Sequence, residues 1–401
     1  MGYQVKQITS LINDIVEDLT AQSSSIQTLN TSDVVSLGKA ISDLNLYEGF
    51  FGSLVNRLAK TVYFVRVYDG SDNRRILRDE HEYGAFVQKV YYSAPAFVNN
   101  PEYKIPQYTG GGAIDTYNQS SPYGVSGTVT VSSMVYGAQG TFAIEIVRPV
   151  DQIRSAFLSE AEMIRFIDGI YVTIENELKL AEEGLVNAAC ATAIAADIQG
   201  GKVRNLLTEY NTIHSDAPIT DEDEALTDPD FLKYMGKAIR DTIKYMGKMS
   251  TAFNVKGYKT FTPKERLVTE LLTSAASALT TYLESDTYWK ELVALEYTEV
   301  PFWQFQGQNG GSFADTSKID ITNSALITQT NLTGNVSADG VVAFVHDEEH
   351  VAAYFGHRRS WEKYNERDDI YIHGETARHG YAVDLNANGV VFIVKYVAPT
   401  P

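Results

Sequence analysis

Cysteine is almost absent from this chain of 401 residues: Cys190 is the only one, which excludes an intrachain disulfide and any metal cluster built on several thiolates. Its neighbours Ala188, Ala189 and Ala191 make it an expected buried, inert packing group rather than a nucleophile. Long hydrophobic runs are missing too. The run from Leu185 to Ile198 is alanine-rich and too short to cross a bilayer. Met1 to Leu11 has no basic segment followed by an apolar one, and Gly2 lacks the Ser or Thr spacing of N-myristoylation. The expectation is an intracellular, soluble product with no membrane partner. Positive charge is scarce. Against 51 acidic residues stand 33 basic ones, a net charge of −18, so the surface repels phosphates and tight non-specific nucleic-acid binding is disfavoured. No long internal repeat is visible, which argues against solenoids and propellers.

What is present is an ordinary globular composition, 44% apolar and 21% charged, in a chain long enough for two or three subdomains. Its organising element is the proline-free stretch from Ser159 to about Ile198. Met163, Ile167, Ile170, Ile174, Leu178, Ala181, Leu185 and Ala188 recur every third or fourth residue, which predicts one helical stripe. Ser159 with Glu162 forms a capping box and Gly200-Gly201 a stop. Such a helix is on the order of 60 Å long and needs something flat to cover it. Gly169 and Gly184 inside it predict a bend or close packing, because each costs ~1 kcal/mol relative to Ala.

Before the helix, short amphipathic helices are expected at 4–19, 32–44 and 50–58, and a β-branched, aromatic strand at 61–68. Residues 69–149 read as loop and strand, ending in a two-stranded excursion that pairs the run of Val125, Val129 and Val131 with that of Phe142, Ile144 and Ile146. After the helix, Asp228-Pro229 opens a helix through Met246. Thr262-Pro263-Lys264-Glu265 predicts another, running to about Leu283. Strands are expected at 253–259, 297–306, 318–328, 341–345, 369–373, 381–385 and 389–394.

Several strings invite chemistry. His346-Asp347-Glu348-Glu349-His350 has the histidine spacing of a helical zinc site, but Asp347 stands where a metalloprotease needs Glu, and a turn of surface charge is the simpler account. Arg378-His379-Gly380 has the letters of a phosphohistidine phosphatase motif, yet it lies near the C-terminus among apparent antiparallel strands, as a strand-edge histidine. Gly110-Gly111-Gly112 lacks a following Gly-Lys-Ser/Thr and reads as a flexible tip. In the acidic run Asp221-Glu222-Asp223-Glu224, with Asp228 and Asp230, Ala225 and Leu226 spoil the calcium-loop pattern and leave a solvated loop. Arg74, Arg75, Arg78, Arg358, Arg359, Arg367 and Arg378 lie in extended segments, where they are expected to meet acidic faces of neighbouring copies. No nucleophile, base and orienting group come together, so no catalytic, cofactor or metal site is expected.

The order of arm, long excursion, one very long helix, α/β lobe and terminal strands resembles the major capsid proteins of tailed phages with the Hong Kong 97 type fold, an α+β class. Phe51-Gly52-Ser53-Leu54-Val55-Asn56-Arg57-Leu58 running into Val62–Val67 looks like the entry from arm to body in the small podophage group typified by phi twenty-nine. Ala343-Phe344-Val345-His346-Asp347, continuing through Tyr354, Trp361 and Tyr364 to Val390-Val391-Phe392-Ile393, looks like that group's closing strands. The resemblance implies an N-terminal arm over 1–60, an extended E-loop region over 61–149, a peripheral domain with a spine helix over 150–198 and 341–401, and an axial domain over 199–340. It implies many self-copies in pentamers and hexamers, a portal, a scaffolding protein, weakly contacted double-stranded DNA, and a virion capsid assembled in the host cytoplasm. The charge balance suits a wall that stays near nucleic acid without sticking to it. Unlike the phi twenty-nine group, the chain is expected to carry no added immunoglobulin-like domain after the last strand and no scaffolding segment before the arm. The Lys and Asn that crosslink some relatives find no match. The alternatives are a bacterial nanocompartment shell, which keeps the fold, and a soluble metal-dependent hydrolase using His346 and His350.

Overall fold

Forty residues without a proline form a single helix, α1 (Glu160–Gln199), in the computed structural model, which describes residues 76–78, 86–93, 130–137, 140–149, 160–283, 296–304 and 313–397. The helix ends because Gly201 takes a φ of 72°, open to glycine without steric cost, so that its N–H reaches Ile198 O at 3.1 Å and the Lys202 N–H reaches Asp197 O at 2.7 Å. Leu178, Glu182, Leu185 and Ala189 form its buried stripe, and from Ala189 to Asp197 every residue is buried. Ala188, expected on the stripe, is exposed, because a step of four from Leu185 reaches Ala189 instead. The helix runs unbroken through Gly169 and Gly184, and a methyl group added at the exposed Gly184 would meet nothing within 4 Å. Close packing is therefore not the reason for that glycine.

Thirteen strands are described: β1 (Leu77–Arg78), β2 (Phe86–Ser93), β3 (Thr130–Gly137), β4 (Gly140–Pro149), β5 (Val203–Asn205), β6 (Leu267–Leu272), β7 (Thr298–Val300), β8 (Ile319–Ile321), β9 (Val336–Ala338), β10 (Val341–Asp347), β11 (Val351–Asn365), β12 (Ile370–Val383) and β13 (Gly389–Ile393). They form a five-stranded sheet in the order β5-β13-β10-β6-β7, a four-stranded sheet in the order β1-β11-β12-β4, and the pairs β2-β3 and β8-β9. Four further helices of eight residues or more follow α1: α2 (Leu206–Ile213), α3 (Pro229–Met246), α4 (Thr273–Leu283) and α5 (Asn323–Thr330). The terminal strands β11, β12 and β13 do lie along α1, as do β8, β9 and α5.

The five-stranded sheet is the centre of the core. All residues of β6 and β10 are buried, which explains their near-continuous apolar sequences. Phe344 and Phe392 are fully buried there, and Trp303 joins them with its indole N–H donating to Val341 O at 2.8 Å. Helix α3 starts as expected: the Asp228 carboxylate accepts from the N–H groups of Asp230 (2.7 Å) and Phe231 (3.0 Å), with Pro229 at the first helical position.

Other expectations are corrected. The helix foreseen from Thr262 to about Leu283 forms only in its last part, α4 (Thr273–Leu283): its start is a single 3-10 turn, Lys264–Arg266, followed by β6. Pairing with β10 and β7 on either side overrides the capping-box signal, and the Thr262 hydroxyl donates to Asp347 Oδ2 at 2.8 Å instead of capping. The strand foreseen at 253–259 is irregular chain, and that at 318–328 is β8 followed by α5. The strands foreseen at 369–373 and 381–385 belong largely to the one long β12, paired along its length with β11. Of the two runs read as one excursion, Val125 and Val129 lie outside the described residues; Val131 on β3 pairs with Tyr92 of β2, and β4 pairs with β12 from Gly140↔His379 to Pro149↔Ile370. The arm helices, the 61–68 strand, Ser159, Gly110–Gly112, Arg74 and Arg75 lie outside the described residues.

Candidate functional site

Where α1 meets the five-stranded sheet, the core contains a seam of buried ionisable groups. Asp197, in the last turns of α1, accepts from His350 Nε2 at 3.0 Å, and His350 Nδ1 faces the Asp384 carbonyl at 2.8 Å. Both ring nitrogens thus meet oxygen acceptors, an arrangement that suits the imidazolium. Burial alone would lower the His350 pKa, but the Asp197 charge and hydrogen bond, with the Asp384 carbonyl and Asp347, outweigh it and raise the pKa above the ordinary imidazole value. Beside it His346 contacts Glu270 Oε1 at 3.3 Å and the Asp347 carbonyl at 2.8 Å. Cys190 places its sulfur 3.8 Å from the same Glu270 oxygen, and burial, then the Glu270 charge, push its thiol pKa well up, so it is inert as expected.

The seam continues outward to the β2–β3 ribbon. Lys89 on β2 bridges Glu349 Oε2 (3.0 Å), the Glu349 carbonyl (3.1 Å) and Asp384 Oδ2 (3.5 Å), and the Tyr91 hydroxyl donates to Asp384. Tyr91 also approaches Tyr258 with ring centroids 6.3 Å apart. Burial raises the Asp384 pKa, with Lys89 and Asn386 pulling it partly back. Burial acts the same way on Glu349, but there Lys89 and Arg266, the latter at 2.6 Å, prevail and hold the carboxyl below its usual value. Because the Asp384 backbone carbonyl receives His350, one residue ties the ribbon to α1. The seam is a mechanical joint: His346, His350, Lys89 and Tyr91 are each engaged by a carboxylate, while Asp197 Oδ1 and Glu270 Oε2 are buried without a hydrogen-bond partner among the described residues.

The five-residue string His346 to His350 does end in a turn, with Glu348 and Glu349 half-buried, but its histidines are not at the surface. His346 lies on β10, and both imidazoles are fully buried, 6.1 Å apart, each tied to a different carboxylate. No group of three metal-ligating side chains occurs among the described residues. His379 is not at a strand edge but on β12 between β11 and β4, stacked on Phe142 at 3.9 Å. The acidic run is not all loop: Asp221 caps a four-residue helix, Glu222–Ala225, by accepting from the Asp223 N–H at 2.9 Å, and Glu222 Oε1 accepts from the Tyr396 N–H at 3.2 Å. Arg358, expected to reach a neighbour, pairs within the chain with buried Glu375 at 2.5 Å. Arg359, Arg367 and Arg378 are exposed, and the side chain of Arg78 lies outside the described set.

Asp197, Glu270, Asp384, Lys89 and Tyr91 escaped the reading of the sequence. A signal existed for two of them: Asp197 interrupts the apolar Ala191–Ile198 run, and Glu270 interrupts Leu267–Leu272. A carboxylate at a core position has to find a partner.

The four-stranded sheet is built differently. Phe142, Ile144 and Ile146 on β4 pack against the core, and the intervening Thr141, Ala143, Glu145 and Val147 are exposed. The register puts Val147, Ile372 and Lys363 side by side, and likewise Glu145, Gly374 and Trp361, then Ala143, Thr376 and Arg359. Among these, Val147 and Trp361 are large apolar groups left 50% and 37% exposed. Among the described residues, one face of this sheet is covered and the other open.

Residues 12–393 match the family described as Phi29-like phage major capsid protein. Among solved structures, a chain of the capsid of Staphylococcus phage Andhra superposes with a TM-score of 0.51 at 11% identity, over 82% of this chain and 86% of that one. A chain of the native bacteriophage P68 structure of head fiber and inner core protein gives 0.53 at 13%, over 82% and 86%. At that identity the likeness is one of fold, an α+β architecture in keeping with the Hong Kong 97 type. No curated protein sequence matches the chain. Neither a nanocompartment shell nor a metal-dependent hydrolase finds support in these matches, and no described helix is long and apolar enough to cross a membrane. With nearly its whole length matched, the chain belongs to the Phi29-like phage major capsid protein family.

Proposed function

We propose that this major capsid protein builds its shell through the surfaces that its own fold leaves uncovered, and that its role is structural rather than catalytic. The observation that carries the reading is the open face of the four-stranded sheet, where Val147 and Trp361 stand among Arg359, Lys363 and Arg378, with the carboxylate of Glu145 beside them, in a chain of net charge −18. A basic, partly apolar face on an acidic protein is complementary to the acidic surface of a second copy. Residues 1–60 act as the arm and the 61–149 region as the extended E-loop. Residues 150–198 with 341–401 form the peripheral domain and 199–340 the axial domain. Pentamers and hexamers close the shell in the host cytoplasm, together with a portal and a scaffolding protein, around double-stranded DNA that the acidic wall contacts weakly. The buried imidazoles support a structural role, since both are fully enclosed and each is engaged by a carboxylate. Deleting residues 1–45 should stop assembly yet leave a cooperatively folding body. Normal shells from the truncated chain would refute the arm assignment.

A further inference from the structure

Helix α3 separates two exposed surfaces of opposite charge, neither of them part of the four-stranded sheet. Residues 215–230, which lead into its start, hold seven carboxylates and no basic residue, whereas residues 231–266 hold nine basic residues and two acidic ones. The acidic residues gather at one end. Helix α2 packs along α3, with Arg204 donating to Thr242 Oγ1 at 2.8 Å, the Tyr234 hydroxyl to Glu209 at 2.9 Å, and Tyr210 meeting Phe231 edge-on at 5.4 Å, so α2 ends beside the start of α3. Asn211 accepts from the Ile219 N–H at 2.9 Å and donates to Ile219 O at 2.7 Å, which folds the intervening loop back onto the same end. Asp216, Asp223 and Glu224 are exposed there, together with Ile213, which is 64% exposed.

At the other end the chain leaves α3 in a hairpin, residues 247–262. The Thr262 N–H donates to Met246 O at 2.8 Å, and Ser250 and Thr260 exchange backbone hydrogen bonds of 2.9 and 3.0 Å. That bridge sets Met249 opposite Phe261, and both stay exposed, at 58% and 47%, as does Tyr245 in the last turn of α3. Lys248, Lys256 and Lys259 on the hairpin are exposed and, like Asp223 and Glu224 at the acidic end, take part in no ion pair among the described residues. The helix macrodipole favours acids at a helix start and bases at its end, but it reaches only about one turn. Asp216, Lys256 and Lys259 lie beyond that reach, and the dipole does not account for the exposed Ile213, Tyr245, Met249 and Phe261. Eighteen residues of helix hold the two ends about 27 Å apart, so they cannot neutralise each other within one chain.

We propose that the two ends of α3 dock head to tail between copies: the hairpin of one copy, with Met249, Phe261 and its lysines, sits on the Ile213 surface of the next, against Asp216, Asp223 and Glu224. The occupant is a second copy because the chain itself carries the complement of each surface, opposite in charge and matched by an exposed apolar group. Two different patches make a heterologous contact, which repeats from copy to copy until a ring closes. The inference rests on the self-assembly proposed above, but not on the open sheet face.

The test is electron microscopy and sedimentation of the full chain and three variants: Lys248→Glu with Lys259→Glu, Asp223→Lys with Glu224→Lys, and all four changes together. The thermal midpoint of each is measured alongside and should not move, since every altered side chain is exposed. Each pair alone is expected to lower the yield of shells roughly tenfold or more, and the combined chain, whose charges are again opposite, to recover most of it. Should charge reversal lower the midpoint, Phe261→Ser, which alters no charge, carries the test and is also expected to lower the yield. Normal yield from either charge pair or from Phe261→Ser overturns the proposal, as does a combined chain of unchanged midpoint that shows no recovery. Variant shells of normal yield that retain less nucleic acid assign the lysines to the packaged strand and overturn it too. A wild-type chain that forms neither rings nor shells overturns the self-assembly reading, and this contact with it.

Discussion

Every residue of β6 and β10 is buried, whereas β4 alternates a half-buried residue with an exposed one along its whole length. The five-stranded sheet is closed on both sides by its own chain and even encloses charged groups, which it pairs with each other. The four-stranded sheet uses one face to hold α1 and leaves the other to solvent. The contrast separates two jobs. Burial on two faces stabilises the subunit by itself, at about 1.5–3 kcal/mol for each large apolar side chain enclosed. A sheet covered on one face contributes less to the subunit and leaves apolar area for a contact between subunits.

The sharpest break in the comparison is Phe344→Ala. Phe344 is fully buried on β10, so its truncation should cost about 3–5 kcal/mol in chemical denaturation of the unassembled chain. Next comes Asp197→Ala, which removes the acceptor of the buried His350 Nε2 and should cost about 1–3 kcal/mol.

Acidity should act on the two sheets with opposite sign. The folded pKa of His350 is raised, so its contribution is complete below the unfolded value, about 6.5, and is lost as pH rises through the folded one. His373 and His379 on β12 have pKa values lowered by burial, so protonation favours the unfolded chain and stability falls as pH drops below about 6.5. Melting curves across this range should therefore lose their alkaline decline in His350→Gln and show a weaker acid decline in His373→Gln. Identical profiles for both variants and the wild type would contradict the assignment.

A smaller effect of opposite sign is expected at Gly184. Because an added methyl group meets nothing there, Gly184→Ala should stabilise the chain by about 1 kcal/mol through helix propensity alone. The smallest effect on stability is expected at Val147, half exposed on the open face. There Val147→Ala should stay within about 0.5 kcal/mol of the wild type.

The legible parts of the fold were those set by local periodicity and capping. The span of α1, its glycine stop and the Asp228-Pro229 start of α3 are each decided within a few residues, and the sequence carries them openly. The segment 262–272 shows where that fails. Thr262, Pro263 and Glu265 spell a helix start, but the strands on both sides of Leu267–Leu272 outweigh a local preference of about 1 kcal/mol or less. The mistaken pairing of β3 with β4 has the same origin, since strand partners are chosen by long-range contacts that alternation in one strand does not encode. The seam was hidden for a related reason. His346 and His350 were visible as a spacing, but their partners Glu270 and Asp197 are 76 and 153 residues away in the chain. Within the string read as a charged surface turn, His346 and His350 are fully enclosed while Glu348 and Glu349 are half-buried.

The central claim is that the five-stranded sheet holds the subunit together while the open face of the four-stranded sheet joins it to its neighbours. Its most direct test is electron microscopy of Val147→Asp combined with Arg359→Glu, with the denaturation midpoint of the same sample measured alongside. Both changes place negative charge on the open face. The account predicts a folded chain of unchanged midpoint that forms no shells, where the wild-type chain of 44.4 kDa forms closed particles. Shells of normal size and yield from the double variant would contradict it.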